Sequence, residues 1–198
     1  YASRGLGDVY KRQPYIRPLV QPKFRREKKG LTPAERGTAT HLVLQYLDLQ
    51  NLDVPGQVEK LRLEAKLTAE QAAAVDVPAL RRFLESPLAE EMRQAETAAR
   101  EYRFTVLMPA RDYDPAAAEE DSILLQGVVD CWFETPEGIT VVDFKTDFVQ
   151  TEEDVAQHAE LYRGQLAAYS LALERVLEKA VTRKALYFLQ AGKTVEIS

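Results

Sequence analysis

Residues 124–133 (LLQGVVDCWF) and 139–145 (ITVVDFK) decide the fold of this chain. Both runs are rich in valine, isoleucine and phenylalanine, and the turn residues ETPEG join them. Two β-branched and aromatic runs separated by a turn predict a β-hairpin. The first run contains G-x-x-D and the second ends in D-x-K. The hairpin therefore carries Asp130 on one strand, with Asp143 and Lys145 on the other.

The geometry of this hairpin predicts two neighbouring carboxylates. Side chains alternate between faces along a strand, so Asp143 and Lys145 should share a face. If Phe133 pairs with Thr140, Asp130 falls opposite Asp143, and directly opposed residues have Cβ atoms about 5 Å apart. Hard divalent cations such as Mg²⁺ prefer oxygen ligands, so the carboxylates indicate a metal site. The alternative is an ordinary hairpin with an Asp–Lys ion pair at its edge, although a carboxylate between apolar strands needs a partner.

The composition favours one well-buried domain and limits its chemistry. The chain has 198 residues, of which 45% are hydrophobic, and a net charge of −5. This charge argues against a dedicated nucleic-acid clamp, but not against an enzyme that receives nucleic acid from a neighbour. The single cysteine, Cys131, excludes an internal disulfide and a four-cysteine zinc site, and its alternation with Asp130 predicts a buried, inert thiol. We find neither a membrane-spanning run nor a signal-peptide pattern and expect a cytoplasmic protein.

The organisation along the chain predicts a single domain behind a start that is not native. Residues 1–13 (YASRGLGDVYKRQ) look like translated sequencing-adaptor sequence, so we expect a fragment whose true start is unknown. Residues 14–30 carry three prolines and a basic cluster, which indicates a solvated linker or, alternatively, a tether that touches phosphate. Residues 31–198 are expected to form one domain, with a helical insert at about 52–98.

The remaining elements predict an α/β sandwich. Thr32 and Glu35 form a capping-box pattern around Pro33, which predicts a helix that runs to about Leu49. Its expected apolar positions are Leu42, Val43, Tyr46, Leu47 and Leu49, with Gly37, His41, Gln45 and Asp48 on a neighbouring face. A strand at 100–108, a helix at 151–178 broken or kinked near Gly164, and a strand at 185–189 complete the pattern. This order of helix, three strands, helix and strand favours a mixed sheet.

Several motifs together resemble one known family. The segments GVVDCWFE at 127–134 and ITVVDFKTD at 139–147 look like the catalytic hairpin of the PD-(D/E)xK nucleases, specifically of the RecB-like branch. ERGTATH, which ends at His41, resembles the helix motif of that branch, and REYRF at 100–104 resembles the strand before the hairpin. QLAAY at 165–169 matches its Q-x-x-x-Y motif. The chain looks most like the C-terminal nuclease domain of AddA-type helicase–nuclease subunits.

The resemblance, which covers residues 35–189, implies a fold and a chemistry. The fold would be a restriction-endonuclease-like core with a helical insert, and the activity that of a Mg²⁺-dependent deoxyribonuclease that hydrolyses phosphodiester bonds. The implied metal ligands are His41, Asp130, Asp143 and the backbone carbonyl of Phe144. Asp130, Asp143 and Lys145 would be the catalytic residues, with Lys145 as the catalytic lysine. Mn²⁺ is an alternative ion, because histidine beside carboxylates also suits it.

Three further residues are candidates for supporting roles. Gln165 and Tyr169 are four residues apart and share one helical face, so they could support the metal site or contact DNA. Spacing alone would fit a half-buried amphipathic helix equally well. Glu101 could join the metal shell, because it alternates with apolar neighbours. His41 depends on the family motif, since a lone helical histidine is more often a surface or core residue. Asp147 is interpreted as a turn residue.

The resemblance also implies partners. The substrate would be DNA, delivered as a single strand by an upstream helicase domain of the same polypeptide, and a second helicase–nuclease subunit would assist in double-strand-break repair by recombination. Two alternatives stay open. One is a catalytically silent nuclease-like module that binds DNA or a partner protein, and the other is an enzyme of the same fold that acts on RNA or another phosphodiester.

Overall fold

A computed structural model describes residues 30–112, 114–147, 149 and 151–197. The non-native start predicted at 1–13 lies outside this described part, as does all of the predicted linker except Gly30. Within it, five α-helices precede the first strand: α1 (Pro33–Tyr46), α2 (Val54–Leu63), α3 (Ala69–Ala74), α4 (Val77–Leu84) and α5 (Pro87–Gln94). Helices α2 to α5 occupy the stretch in which the helical insert was predicted.

The first helix begins as predicted and ends earlier. Thr32 and Glu35 form the expected capping box. The helix ends at Tyr46, three residues before the predicted end, because the side chain of Arg100 donates hydrogen bonds to the carbonyl groups of Leu44 and Leu47. The predicted apolar stripe is therefore wrong in part: Tyr46 is 45% exposed, and Leu44 is buried in its place.

Five strands form one open sheet in the order β1-β2-β3-β4-β5. Their bounds are β1 (Ala98–Pro109), β2 (Ser122–Thr135), β3 (Gly138–Lys145), β4 (Val181–Phe188) and β5 (Lys193–Glu196). Strands β3 and β4 are parallel and are connected by α6 (Glu152–Leu177), whereas the other neighbours are antiparallel. Helix α6 runs through Gly164 without interruption, so the predicted break is wrong: a single glycine costs a long helix only about 1 kcal/mol.

The sheet lies between two helical layers. On one face, α1, α2, α4 and α5 share a core with residues of the central strands, namely Cys131, Phe133, Val142, Phe144, Ala185 and Tyr187. On the other face, α6 packs against Phe104, Val129, Trp132, Ile139, Val141, Leu186 and Phe188. The predicted α/β fold is thus confirmed. Burial raises the pKa of the Cys131 thiol to about 12, which suits a packing role.

The hairpin forms in the predicted register but ends before the two aspartates. Phe133 pairs with Thr140, as expected. The ladder stops at the pair of Cys131 and Val142, so Asp130 and Asp143 are not paired across it. Instead, the backbone N–H of Phe144 donates a 2.8 Å hydrogen bond to Oδ2 of Asp130. The carboxylates therefore lie where the two strands separate.

Strict alternation of side chains also fails at this point. Asp130 contacts His41 of α1, yet the next residue, Cys131, packs in the core beneath the same group of helices. Across the ladder, Glu101 lies opposite Asp130 and has a φ of 51°, a left-handed conformation that is unusual for a residue with a side chain. Such a conformation costs roughly 1–3 kcal/mol and clusters at functional sites. The local backbone thus turns Glu101 and Asp130 toward α1.

None of the helices in the described ranges combines the length and the apolar character needed to cross a lipid bilayer.

Candidate active site

Three side chains from three elements converge beside α1. His41, Glu101 and Asp130 each offer a ligand atom, and these atoms all lie within 4.8 Å of one another. Nδ1 of His41 is 3.4 Å from Oδ2 of Asp130. We call these residues the metal trio. An imidazole with two carboxylates is a donor set that suits Mg²⁺ or Mn²⁺, so the residues present fit a divalent cation.

The electrostatics of the metal trio also favour a cation. Burial and the charge of Asp130 raise the pKa of Glu101. Burial lowers the pKa of His41, but its hydrogen bond to Asp130 and the charges of Asp130, Asp143 and Glu101 outweigh this effect, so the pKa is raised. Both shifts have the same origin, which is negative charge concentrated in a small, partly buried volume.

Asp143 and Lys145 form a second cluster with α6. Lys145 Nζ lies 2.7 Å from Asp143 Oδ2, and the two side chains are only 13% and 2% exposed. The amide of Gln165 contacts both: Nε2 donates to Asp143 Oδ1 at 3.0 Å, and Oε1 accepts from Lys145 Nζ at 3.2 Å. Asp143 and Lys145 therefore share the face toward α6, as their spacing predicted. A single amide fixes the carboxylate and the ammonium together.

Tyr169 supports this cluster through Gln165. Gln165 Nε2 donates a 2.7 Å hydrogen bond to the Tyr169 hydroxyl, one helical turn further along α6. The Tyr169 ring stands edge-on to Phe104 of β1, with 6.0 Å between ring centroids. The structure thus brings Gln165 and Tyr169 beside Lys145. Whether they contact DNA stays a prediction.

The two clusters are adjacent but separately held. Asp130 is directed toward α1 and Asp143 toward α6. Burial, followed by the charge of Asp130, raises the pKa of Asp143 to about 6, although the ammonium of Lys145 opposes this shift. The carboxylates are thus close enough to interact. Asp143 as a metal ligand, together with the carbonyl of Phe144, stays a prediction.

One contact of Lys145 was not foreseen from the sequence. The ammonium lies 3.5 Å from the ring centroid of Tyr162, and the Tyr162 hydroxyl donates a 2.7 Å hydrogen bond to Asp147 Oδ2. Tyr162 precedes Gln165 by three residues, and that spacing on a helix is a signal that could have identified it. Asp147, interpreted as a turn residue, has this additional contact.

A cleft of about 760 Å³ gives access to the metal trio. Its wall includes His41 and Glu101 as well as residues from α1, α3 and the turn after β3, namely Pro33, Ala34, Gly37, Thr38, Leu42, Gln45, Gln71, Thr146 and Asp147. The face of α1 that bears Gly37, His41 and Gln45 therefore lines the cleft.

The close approach of α1 to the strand end can be tested with two glycines. A Cβ added at Gly164 meets no atom within 4 Å, so Gly164→Ala should raise the free energy of unfolding by about 1 kcal/mol through helix propensity. A Cβ at Gly37 would lie 3.1 Å from Oγ1 of Thr146, and Gly37→Ala should therefore stabilise less. Urea unfolding measures both values. In a Thr146→Ala background, Gly37→Ala should recover the full gain, and equal gains in the two single variants would contradict this packing.

The raised pKa of Asp143 predicts a pH-dependent stability in the metal-free protein. Because its native pKa of about 6 exceeds the ordinary value of 3.8, the native state binds more protons than the unfolded state between these values. The contribution of Asp143 to stability should therefore fall as pH rises through this window. Urea unfolding in EDTA, compared with Asp143→Asn, should show the wild-type protein losing stability relative to the variant from about pH 4 to about pH 6. A constant difference would show that Asp143 titrates normally.

Sequence comparisons agree with this geometry. Residues 15–196 match the family model of the PD-(D/E)XK nuclease superfamily. The chain belongs to this superfamily. The relatives that it matches are AddA-type subunits of ATP-dependent helicase/nucleases. They include the one from Acetivibrio thermocellus, 41% identical over 191 residues, and the one from Ruminiclostridium cellulolyticum, 38% identical over 183 residues.

These relatives are much longer than the chain. The two alignments cover 94% and 90% of this chain, but only 15% of each relative. The corresponding helicase/nuclease protein of Bacillus cytotoxicus, 38% identical over 190 residues, shows the same 15% coverage. The chain thus corresponds to a small part of a long polypeptide in each relative.

Proposed function

We propose that this chain is a metal-dependent nuclease domain that hydrolyses DNA phosphodiester bonds, with Mg²⁺ as its cofactor and Mn²⁺ as a substitute. The observation that carries the proposal is the position of the metal trio next to the buried pair of Asp143 and Lys145, in a chain of the PD-(D/E)XK superfamily. A cation-binding donor set beside a fixed ammonium provides two positive groups for a phosphate diester.

Each side chain then has a defined task. His41, Glu101 and Asp130 would hold the cation, with Asp143 as a further ligand. The bound cation polarises a phosphoryl oxygen and makes water more acidic, which generates a nucleophile at neutral pH. Lys145 places a positive charge where negative charge develops on the phosphoryl group during hydrolysis. Gln165 keeps that ammonium beside Asp143, because its amide contacts both groups.

The proposed assembly follows from the names of the relatives. Since each relative is one polypeptide of an ATP-dependent helicase/nuclease, we propose that a helicase domain lies upstream in the same polypeptide and that a second subunit completes the enzyme. The helicase would deliver single-stranded DNA to the cleft. The proposed role is double-strand-break repair by recombination, and the proposed location is the cytoplasm.

The test is cleavage of a labelled single-stranded DNA oligonucleotide by the purified 198-residue chain. Mg²⁺ or Mn²⁺ should support cleavage without ATP, because all the proposed catalytic groups lie within this chain, and EDTA should abolish it. An RNA oligonucleotide of the same sequence serves as the matched substrate. Preferential cleavage of RNA would replace the proposed substrate class.

Metal binding is measured in parallel by calorimetry. A chain that binds the ion at the metal trio but cleaves no DNA would be a silent nuclease-like module. A chain that neither binds the ion nor cleaves DNA would overturn the proposal altogether.

A further inference from the structure

The ammonium of Lys145 has three different partners in the structure. Asp143 Oδ2 lies at 2.7 Å, Gln165 Oε1 at 3.2 Å, and the centroid of the Tyr162 ring at 3.5 Å. These partners supply a charge, a neutral acceptor and an aromatic face. The side chain of Lys145 is 13% exposed, so water competes little with them. An ammonium over the face of a tyrosine is attracted to it, and most strongly when desolvated.

Tyr162 is itself held in place from the same strand end. Its hydroxyl donates to Asp147 Oδ2 at 2.7 Å, and Asp147 follows Lys145 by two residues. The ring also precedes Gln165 by one helical turn, so both partners of Lys145 on α6 lie on one face of that helix. Tyr162 therefore bridges α6 to the end of β3 twice, through its ring and through its hydroxyl.

We infer that Tyr162 is a positioning residue for Lys145, an assignment that rests on the proposed nuclease function. Asp143 is a predicted metal ligand, and a carboxylate that binds a cation shares less of its charge with a neighbouring ammonium. Gln165 and the Tyr162 ring then remain to hold Lys145 toward the substrate. The aromatic face suits this task because it attracts the ammonium without accepting its proton.

Kinetics of three variants test this inference. Tyr162→Leu should lower kcat about 10-fold, the factor that corresponds to loss of a cation–π contact, with little change in KM for DNA or in Mn²⁺ affinity. Tyr162→Phe keeps the ring and loses only the bond to Asp147, so it should recover most of the rate. In a Lys145→Met background, Tyr162→Leu should have no further effect, because the residue acts through Lys145.

The matched control is a second cation–π pair outside the cleft. Nζ of Lys66 lies 3.9 Å from the ring centroid of Tyr46, which is 45% exposed. Tyr46→Leu removes an equivalent contact and should leave kcat unchanged. An equal loss in Tyr46→Leu and Tyr162→Leu would indicate a general effect on folding and overturn the inference.

A readout without catalysis separates this inference from the proposed function. In NMR spectra of lysine-labelled protein, the ε protons of Lys145 should be shifted upfield by the Tyr162 ring, and Tyr162→Leu should abolish the shift. If no variant cleaves DNA but the shift is present, the proposed function fails while the contact stands. Absence of the shift, or a kcat of Tyr162→Leu equal to that of the wild-type chain, overturns the positioning role.

Discussion

Replacing Lys145 with methionine is expected to lower the rate of DNA cleavage by about 10²- to 10³-fold, the usual cost of removing one group that stabilises charge in a transition state. Methionine keeps the apolar stem of the side chain and removes the ammonium that lies 2.7 Å from Asp143. Single-turnover cleavage of a labelled oligonucleotide measures the effect.

The variant also changes the surroundings of Asp143, so its fold must be followed. Asp143 is 2% exposed and would lose its cationic partner, which should raise its pKa further. Thermal unfolding and Mn²⁺ affinity therefore accompany the rate measurement. Lys66→Met is the matched control, because Lys66 forms an exposed ion pair with Glu64 away from the cleft. Cleavage by a folded Lys145→Met chain at the rate of this control would remove Lys145 from the mechanism.

Asp130→Asn should weaken Mn²⁺ binding by on the order of 10²-fold and abolish measurable cleavage, since loss of a ligand costs at least as much as loss of an outer-shell partner. Asparagine still offers an oxygen to the backbone N–H of Phe144, so the strand end should keep its shape. The substitution removes the charge that the metal trio shares. Isothermal titration calorimetry measures the affinity directly.

The control for this variant is Asp53→Asn. Asp53 also accepts a hydrogen bond from a backbone N–H, that of Gly56, but it caps α2 rather than facing the cleft. Asparagine caps a helix about as well as aspartate, so metal binding and stability should both be retained. Unchanged Mn²⁺ affinity in Asp130→Asn would exclude Asp130 as a ligand.

Local sequence signals predicted the parts of the fold that depend on local physics. Turn residues and apolar runs were sufficient for the register of Phe133 with Thr140, because a one-residue slip would expose every buried side chain of the hairpin. The capping box of Thr32 with Glu35 formed because its donors and acceptors lie within a single turn. Asp143 and Lys145 share a face because β3 is regular over that stretch.

The features that the sequence did not reveal depend on tertiary contacts. No residue type near Glu101 signals its left-handed conformation, which the surrounding sheet and α1 must impose. The early end of α1 depends on Arg100, more than fifty residues further along the chain. The separation of the strands after Cys131 gave Asp130 and Asp143 different partners, although their indices predicted a direct pair.

The most direct test of the account is a crystal structure of the chain soaked in Mn²⁺, with the ion located by its anomalous scattering. We predict a single strong peak within about 2.5 Å of ligand atoms from His41, Glu101 and Asp130. Asp143 should contact the same ion if it is a ligand as proposed. A fully soaked crystal with no peak at the metal trio, or with its ion bound elsewhere, would contradict the claim that this chain is a metal-dependent nuclease domain.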